Sequence, residues 1–222
     1  MKSLVFTCLA MGLASSASAQ QRPAPADAAR YQDCLAQIEV SAPATIIAAE
    51  TWSFEGGGAL AEHCAALAEI AAGDPAAGAQ RLEEAAQGAD ARRYGLLSEF
   101  WAQAGGAWFV AGQADRAETA FSNAINLREG DAELWIDRGV ARLQLEAYDA
   151  AERDFSEALK LRPRDLEALK LRGRAAYERG DLVRAQADTD AALARAPQDV
   201  EALRLLGDIR EARRLERLPQ TQ

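Results

Sequence analysis

Four sets of side chains in this 222-residue sequence have types that support chemistry. They are a single histidine, His63, beside Cys64; two further cysteines, Cys8 and Cys34; 34 Asp and Glu; and a basic group, Lys170, Arg174 and Arg204. His63 with Cys64 and Cys34 makes a poor zinc site, because two of the three ligands are adjacent in sequence. No serine or cysteine nucleophile stands in a recognisable motif, and there is no H-E-x-x-H, no G-x-S-x-G and no phosphate loop. Gly56-Gly57-Gly58 is followed by no Lys-Ser/Thr and preceded by no strand, so it reads as a helix-ending loop. Close pairs among so many carboxylates arise by chance. The expectation is a non-enzyme with no metal and no cofactor, with His63 on a helix surface.

The cysteines take their meaning from the N-terminus. Lys2, the apolar run Leu4 to Ala14 and the small-x-small Ala17-Ser18-Ala19 form the pattern of a secretory signal, residues 1–19, cleaved after Ala19. The run is too short to span a bilayer as a mature helix, and no later segment is long and apolar enough for a membrane span. Residues 20–26 read as a linker. An exported chain loses Cys8 and keeps the even pair Cys34 and Cys64 in an oxidising space. The expectation is a Cys34–Cys64 disulfide in a periplasmic protein, with two buried thiols or a metal site with His63 as the alternatives.

Composition narrows the partner. Hydrophobic residues make up 49% of the chain and charged ones 27%, which supports a folded core. The net charge of −9 and the export signal disfavour nucleic acid. The charge is divided: residues 1–159 sum to −12 and residues 160–222 to +3.

What positions these residues is a repeat. Ala117, Phe121 and Ala124 recur 34 residues on as Ala151, Phe155 and Ala158, and again as Ala185, Thr189 and Ala192. Gly105, Gly139, Gly173 and Gly207 keep the same step, as do Trp101, Trp135, Leu169 and Leu203. Asp131, Asp165 and Asp199 recur too, each followed two residues later by Glu133, Glu167 or Glu201, an N-cap with a first-turn carboxylate. Turns fall at Gly112-Gln113, Gly180-Asp181 and, in the middle copy, Tyr148-Asp149. Each unit is therefore helix, turn, helix.

These units resemble tetratricopeptide repeats, whose pattern is W-x2-L-G-x2-Y…A-x3-F…P. Residues 132–165 match with Trp135, Gly139, Ala151, Phe155 and Pro163, and depart at Arg138 and Arg142, where Leu and Tyr are usual. Residues 98–131 have Glu129 in place of the proline, and 166–199 have Thr189 in place of the phenylalanine. The resemblance implies an all-α, right-handed α-solenoid of antiparallel helix pairs. Residues 200–218 begin as a fourth copy and become a charged C-terminal capping helix. Residues 27–97 read as two degenerate helical hairpins, Ala28–Val40, Thr45–Phe54, Ala59–Ala72 and Ala76–Gln87, with a turn at Ser41-Ala42-Pro43. In that reading Cys34 and Cys64 lie on the first and third helices, neighbours in the inner row.

The same resemblance implies a function. In tetratricopeptide repeats the first helix of each pair lines a concave groove that takes a peptide. Carried over, the groove residues are Glu99, Ala102, Gly106 and Phe109; Glu133, Ile136, Val140 and Leu143; and Glu167, Lys170, Arg174 and Tyr177, with Arg204 repeating the Lys170 position. The groove is expected to be apolar over Ile136, Val140 and Leu143 and cationic over Lys170, Arg174 and Arg204, fitting a segment with an acidic group. The two-carboxylate clamp of cytosolic chaperone-binding members is not reproduced, since Ile136, Val140 and Leu205 occupy its polar positions. The expectation is a non-catalytic scaffold of the bacterial envelope that binds a protein or peptide partner, with a homo-oligomer left open. The alternative is a structural or redox-sensitive module centred on Cys34 and Cys64.

Overall fold

A computed structural model describes residues 24–88 and 95–217. The expected signal segment, most of the linker and the last residue of the cap lie outside these. The described chain is helical throughout, and successive helices pack against one another in order.

Helix α1, Pro25–Trp52, runs through the expected Ser41–Pro43 turn. Only Ser41 leaves helical values there (φ −162°, ψ 95°), so the chain bends instead of reversing. The Ser41 hydroxyl accepts from the Ala44 amide at 3.4 Å, and the Ser41 carbonyl accepts from the Thr45 hydroxyl at 2.9 Å. Ser41 thus caps a restart of the helix, and Pro43 falls in the first turn after it, where a missing N–H costs little. A π-helical turn, Ser53–Gly57, leads into α2, Gly58–Ala71, which pairs with α3, Pro75–Gln87. The N-terminal part is therefore one bent helix laid on one hairpin, where the sequence suggested two hairpins.

Three regular pairs follow: α4 (Leu97–Val110) with α5 (Ala114–Leu127), α6 (Ala132–Gln144) with α7 (Tyr148–Leu161), and α8 (Leu166–Glu178) with α9 (Leu182–Arg195). Helix α10, Val200–Glu216, follows them. The expected caps form: Asp131 accepts from the Glu133 amide, Asp165 from Ala168 and Asp199 from Ala202. Within each pair the glycine of the first helix receives the bulky residue of the second. A Cβ added to Gly139 would stand 2.5 Å from the ring of Phe155, and one added to Gly105 would stand 2.7 Å from Phe121. Close helix approach, and not backbone freedom, sets those glycines. The smaller Thr189 is also fully buried against Gly173 and satisfies its hydroxyl on the Ala185 carbonyl.

The turn of the middle pair differs from its expected position. It lies at Leu145–Ala147, and Tyr148 and Asp149 already belong to α7. Glu146 stands in the register of Gly112 and Gly180 and shares their left-handed backbone, with φ 56° beside 74° and 86°.

The first helices of successive pairs touch along an inner row, α4 with α6, α6 with α8, and α8 with α10. Arg138 and Arg142, the departures from the repeat pattern, are not surface residues. Arg138 donates to both oxygens of the buried Asp154 at 2.8 and 3.0 Å and to Ser122 of the preceding pair at 3.0 Å. Arg142 donates to Asp154 at 2.8 Å and to Glu118 at 2.8 Å. One step later Arg172 repeats the arrangement with Asp188 and Ser156.

Candidate functional site

The inner row brings the cationic residues together, with acidic neighbours between them. An opening of about 200 Å³ between α8 and α10 is lined by Lys170, Arg174 and Arg204, by Glu167 and Glu201, and by Leu171, Ala202 and Leu205. The expected juxtaposition forms because Lys170 and Arg174 lie one turn apart on α8 and Arg204 sits on the facing stretch of α10.

Their electrostatics correct the picture of three cations awaiting one acid. Lys170 Nζ lies 2.6 Å from Glu201, 3.0 Å from Glu167 and 3.5 Å from Asp199. Burial works against its charge, but hydrogen bonds to Glu201 and Glu167 outweigh it and hold the ammonium above the ordinary lysine value. Lys170 is thus a tie between α8 and α10. Arg174 pairs with Glu178 at 2.5 Å, sits over the ring of Tyr177 and stays nearly half exposed. Arg204 is exposed and has no ion pair among the described residues.

The apolar stretch is corrected as well. Ile136 is only 5% exposed and belongs to the core between the second and third repeat pairs. Val140 and Leu143 are half-buried against that same core. Ile136 is covered because Ala132, Ala168 and Leu169 pack in the same core, so Val140 and Leu143 are the apolar side chains left at the groove surface. Beside them Asp137 has no ion pair among the described residues. Burial, and then Glu133 and Asp131, push its carboxyl up to about 6.

At the other end Cys34 and Cys64 are joined, with their Cα atoms 6.3 Å apart. The bridge links the consecutive helices α1 and α2, where the sequence suggested two helices of the inner row. Cys64 is wholly buried. Arg81 of α3 adds a polar staple, reaching Glu50 of α1 and Glu62 and Glu69 of α2 at 3.1, 3.0 and 2.6 Å. A bridge enclosed in this way reads as structural, and a redox-sensitive module is not favoured.

His63 is not a surface residue. Its ring is buried and stacks on Phe100 at 4.8 Å, with Tyr31 at 2.5 Å from Nδ1 and Gln103 Oε1 at 2.6 Å from Nε2. Gln103 Oε1 can only accept, so Nε2 carries the proton and Nδ1 accepts from the Tyr31 hydroxyl. Burial holds the imidazole below its ordinary value of 6.5, opposed by Gln103 and Glu99. Burial, with the Glu99 charge, also pushes the Tyr31 phenol up to about 12. The relay ties α1, α2 and α4 together. Its partners lie 32 and 40 residues from His63, beyond any local pattern.

An all-α solenoid of antiparallel pairs with a groove along its first helices is the class this geometry defines. The tetratricopeptide repeat profile matches residues 107–165, 136–188 and 171–217, together half of the chain. The chain belongs to the tetratricopeptide repeat family. No curated protein sequence matches it. Among solved structures it is similar to the TPR domain of Arabidopsis OM64 (28% identity, TM-score 0.50, covering 51% of this chain and 94% of that one). It is also similar in fold to YrrB, described as a TPR protein with an unusual peptide-binding site (17%, TM-score 0.65, 78% and 86%). A third structure of like fold is MamA (15%, TM-score 0.61, 88% and 98%). Membership of that family makes the chain a protein-interaction scaffold.

Proposed function

We propose that this scaffold works in the bacterial cell envelope and holds a peptide segment in its inner groove at the α8–α10 opening. The observation that carries the reading is the α8–α10 opening, where Arg174 and Arg204 stand beside an apolar floor of Leu171, Ala202 and Leu205. An acidic side chain or a terminal carboxylate meets the two arginines, and an apolar side chain enters between them. Val140, Leu143 and Tyr177 extend the contact towards the middle of the array. Lys170 keeps its own carboxylates and holds the groove's shape. The solved YrrB described by its peptide-binding site supports the use of the fold for a peptide. The N-terminal signal pattern and the even cysteine pair support export.

Selection of a random peptide library on the immobilised protein tests this. Enriched peptides should carry an acidic group beside an apolar residue, and Arg174→Glu should weaken them at least about tenfold, the loss of one charged hydrogen bond. Arg153→Glu, on exposed α7 surface, should leave affinity unchanged. Equal effects of both changes would overturn the groove reading. Cell fractionation with N-terminal sequencing of the mature chain tests the location, with Gln20 as the expected first residue.

A further inference from the structure

Both ends of the array carry an apolar helix face that no described segment covers. On α10 the apolar face is Val200, Leu203 and Gly207, and Arg210 and Arg214 continue the stripe beyond it. Val200 is 78% and Leu203 47% exposed, although Leu169, one repeat step before Leu203, is buried. Gly207 continues the series Gly105, Gly139 and Gly173. In the first two an aromatic ring of the second helix fills the glycine hole, whereas a Cβ at Gly207 meets nothing within 4 Å. Helix α10 is therefore a first helix whose hole has no knob among the described residues.

On α1 the half after the kink buries Thr45, Ala49 and Trp52 and turns Ala44, Ile47 and Thr51 outward, and Phe54 of the following π-helical turn continues the series. These fall at steps of three and four, one stripe of a helix. Ile47 is 66% and Phe54 94% exposed. Ile47 lies between the smaller Ala44 and Thr51, as Phe155 lies between Ala151 and Ala158.

Charge distinguishes the two ends. Residues 24–88 hold ten carboxylates and two arginines; Glu39, Glu50 and Glu55 flank the α1 stripe in sequence, with Glu50 paired to Arg81 and Glu55 to Arg30. Residues 200–217 carry Arg204, Arg210, Arg213, Arg214 and Arg217 against Glu201, Asp208, Glu211 and Glu216, with Glu201 taken by Lys170 and Glu211 by Arg214. Two α1 faces would oppose acid to acid, and two α10 faces would oppose arginine to arginine. One of each complements the other.

We propose that copies of this chain associate head to tail, with the α1 face of one copy lying on the α10 face of the next and Ile47 seated over Gly207. Such a contact is heterologous, and it extends the solenoid across chains without closing on a pair.

Light scattering of the full mature chain tests this over a range of concentrations and salt. The mass should climb in steps of one chain as concentration rises and fall with added salt. Ile47→Glu spoils only the head and Leu203→Glu only the tail. Both sites are exposed, and circular dichroism checks that each variant keeps its fold. Each variant alone should be monomeric, and an equimolar mixture should form a two-chain complex and nothing larger. Gly207→Leu, which fills the hole, should weaken assembly at least about tenfold. A wild-type chain that stays monomeric at every concentration overturns the proposal. So does either variant alone forming a dimer, which would show symmetric pairing through the untouched end, or a mixture that stays monomeric while the wild type assembles.

Discussion

Replacing Asp154 with alanine should be among the most damaging single changes to the folded chain. Its side chain is 2% exposed and receives charged hydrogen bonds from Arg138 at 2.8 and 3.0 Å and from Arg142 at 2.8 Å. Removing the carboxylate leaves two guanidinium groups mostly buried without their shared acceptor, a loss of about 3–5 kcal/mol for a broken buried ion pair. Against a total stability of about 5–15 kcal/mol that is a large fraction. With a urea slope of about 2 kcal/mol per molar, the midpoint falls by about 2 M. Asp188→Ala, which strands only Arg172, should cost less. The cost belongs to stranding the arginines. The triple change Arg138→Leu, Arg142→Tyr and Asp154→Ala, which places the family's usual residues at the first two sites, should therefore recover most of the loss. Urea unfolding followed by circular dichroism reads all three. A loss under about 1 kcal/mol for Asp154→Ala would refute the buried seam and make these groups a solvated surface.

Three further outcomes are expected. Because the folded-state value of His63 is depressed below 6.5, the folded chain binds fewer protons than the unfolded one in acid. Stability is full above about pH 6.5 and falls as pH drops below it, and a His63→Gln variant should lose that pH dependence in denaturant midpoints. Asp137 has the opposite sign: its raised value means that stability declines as pH rises from about 4 to about 6, so Asp137→Asn should raise the midpoint at neutral pH and not in acid. Glu146→Gly should relieve the left-handed turn and stabilise by about 1 kcal/mol, measured by thermal unfolding against Gly112→Ala, which should destabilise.

Much of the fold was legible because the 34-residue registers are local. Asp131, Asp165 and Asp199 cap where their spacing put them, and Gly139 faces Phe155. The groove was less legible. Position within a repeat placed Ile136 on the inner row, but how far Ala132, Ala168 and Leu169 close over it depends on packing between pairs. Glu133, Glu167 and Glu201 recur in register as first-turn carboxylates, and Glu133 and Glu167 also fall in the groove, but that Glu167 and Glu201 occupy Lys170 depends on the approach of α8 to α10. Arg138 with Arg172, Asp154 with Asp188, and Ser122 with Ser156 also keep the 34-residue step. That step is the sequence signal of the buried seam, and it runs against the family pattern, in which Arg138 is a departure. The kink at Ser41 was mistaken for a reversal because a serine before a proline marks a helix start in either case.

The covalent bridge between α1 and α2 has no counterpart among the described residues at α10, which is held by the ion pairs of Lys170 and by the Arg213 bond to the Leu182 carbonyl. In a stack where each pair rests only on its neighbours, opening starts at an end. Here one end is riveted: a covalent bridge and Arg81 with its three carboxylates bind the first three helices. Closing 30 residues with the bridge removes about 3–4 kcal/mol of unfolded-chain entropy. Fraying is thereby polarised, and the chain peels like a strip glued at one edge. Amide protons of α10 exchange first, those of α8 and α9 next, and those of α2 last. The α8–α10 opening lies at that loose edge.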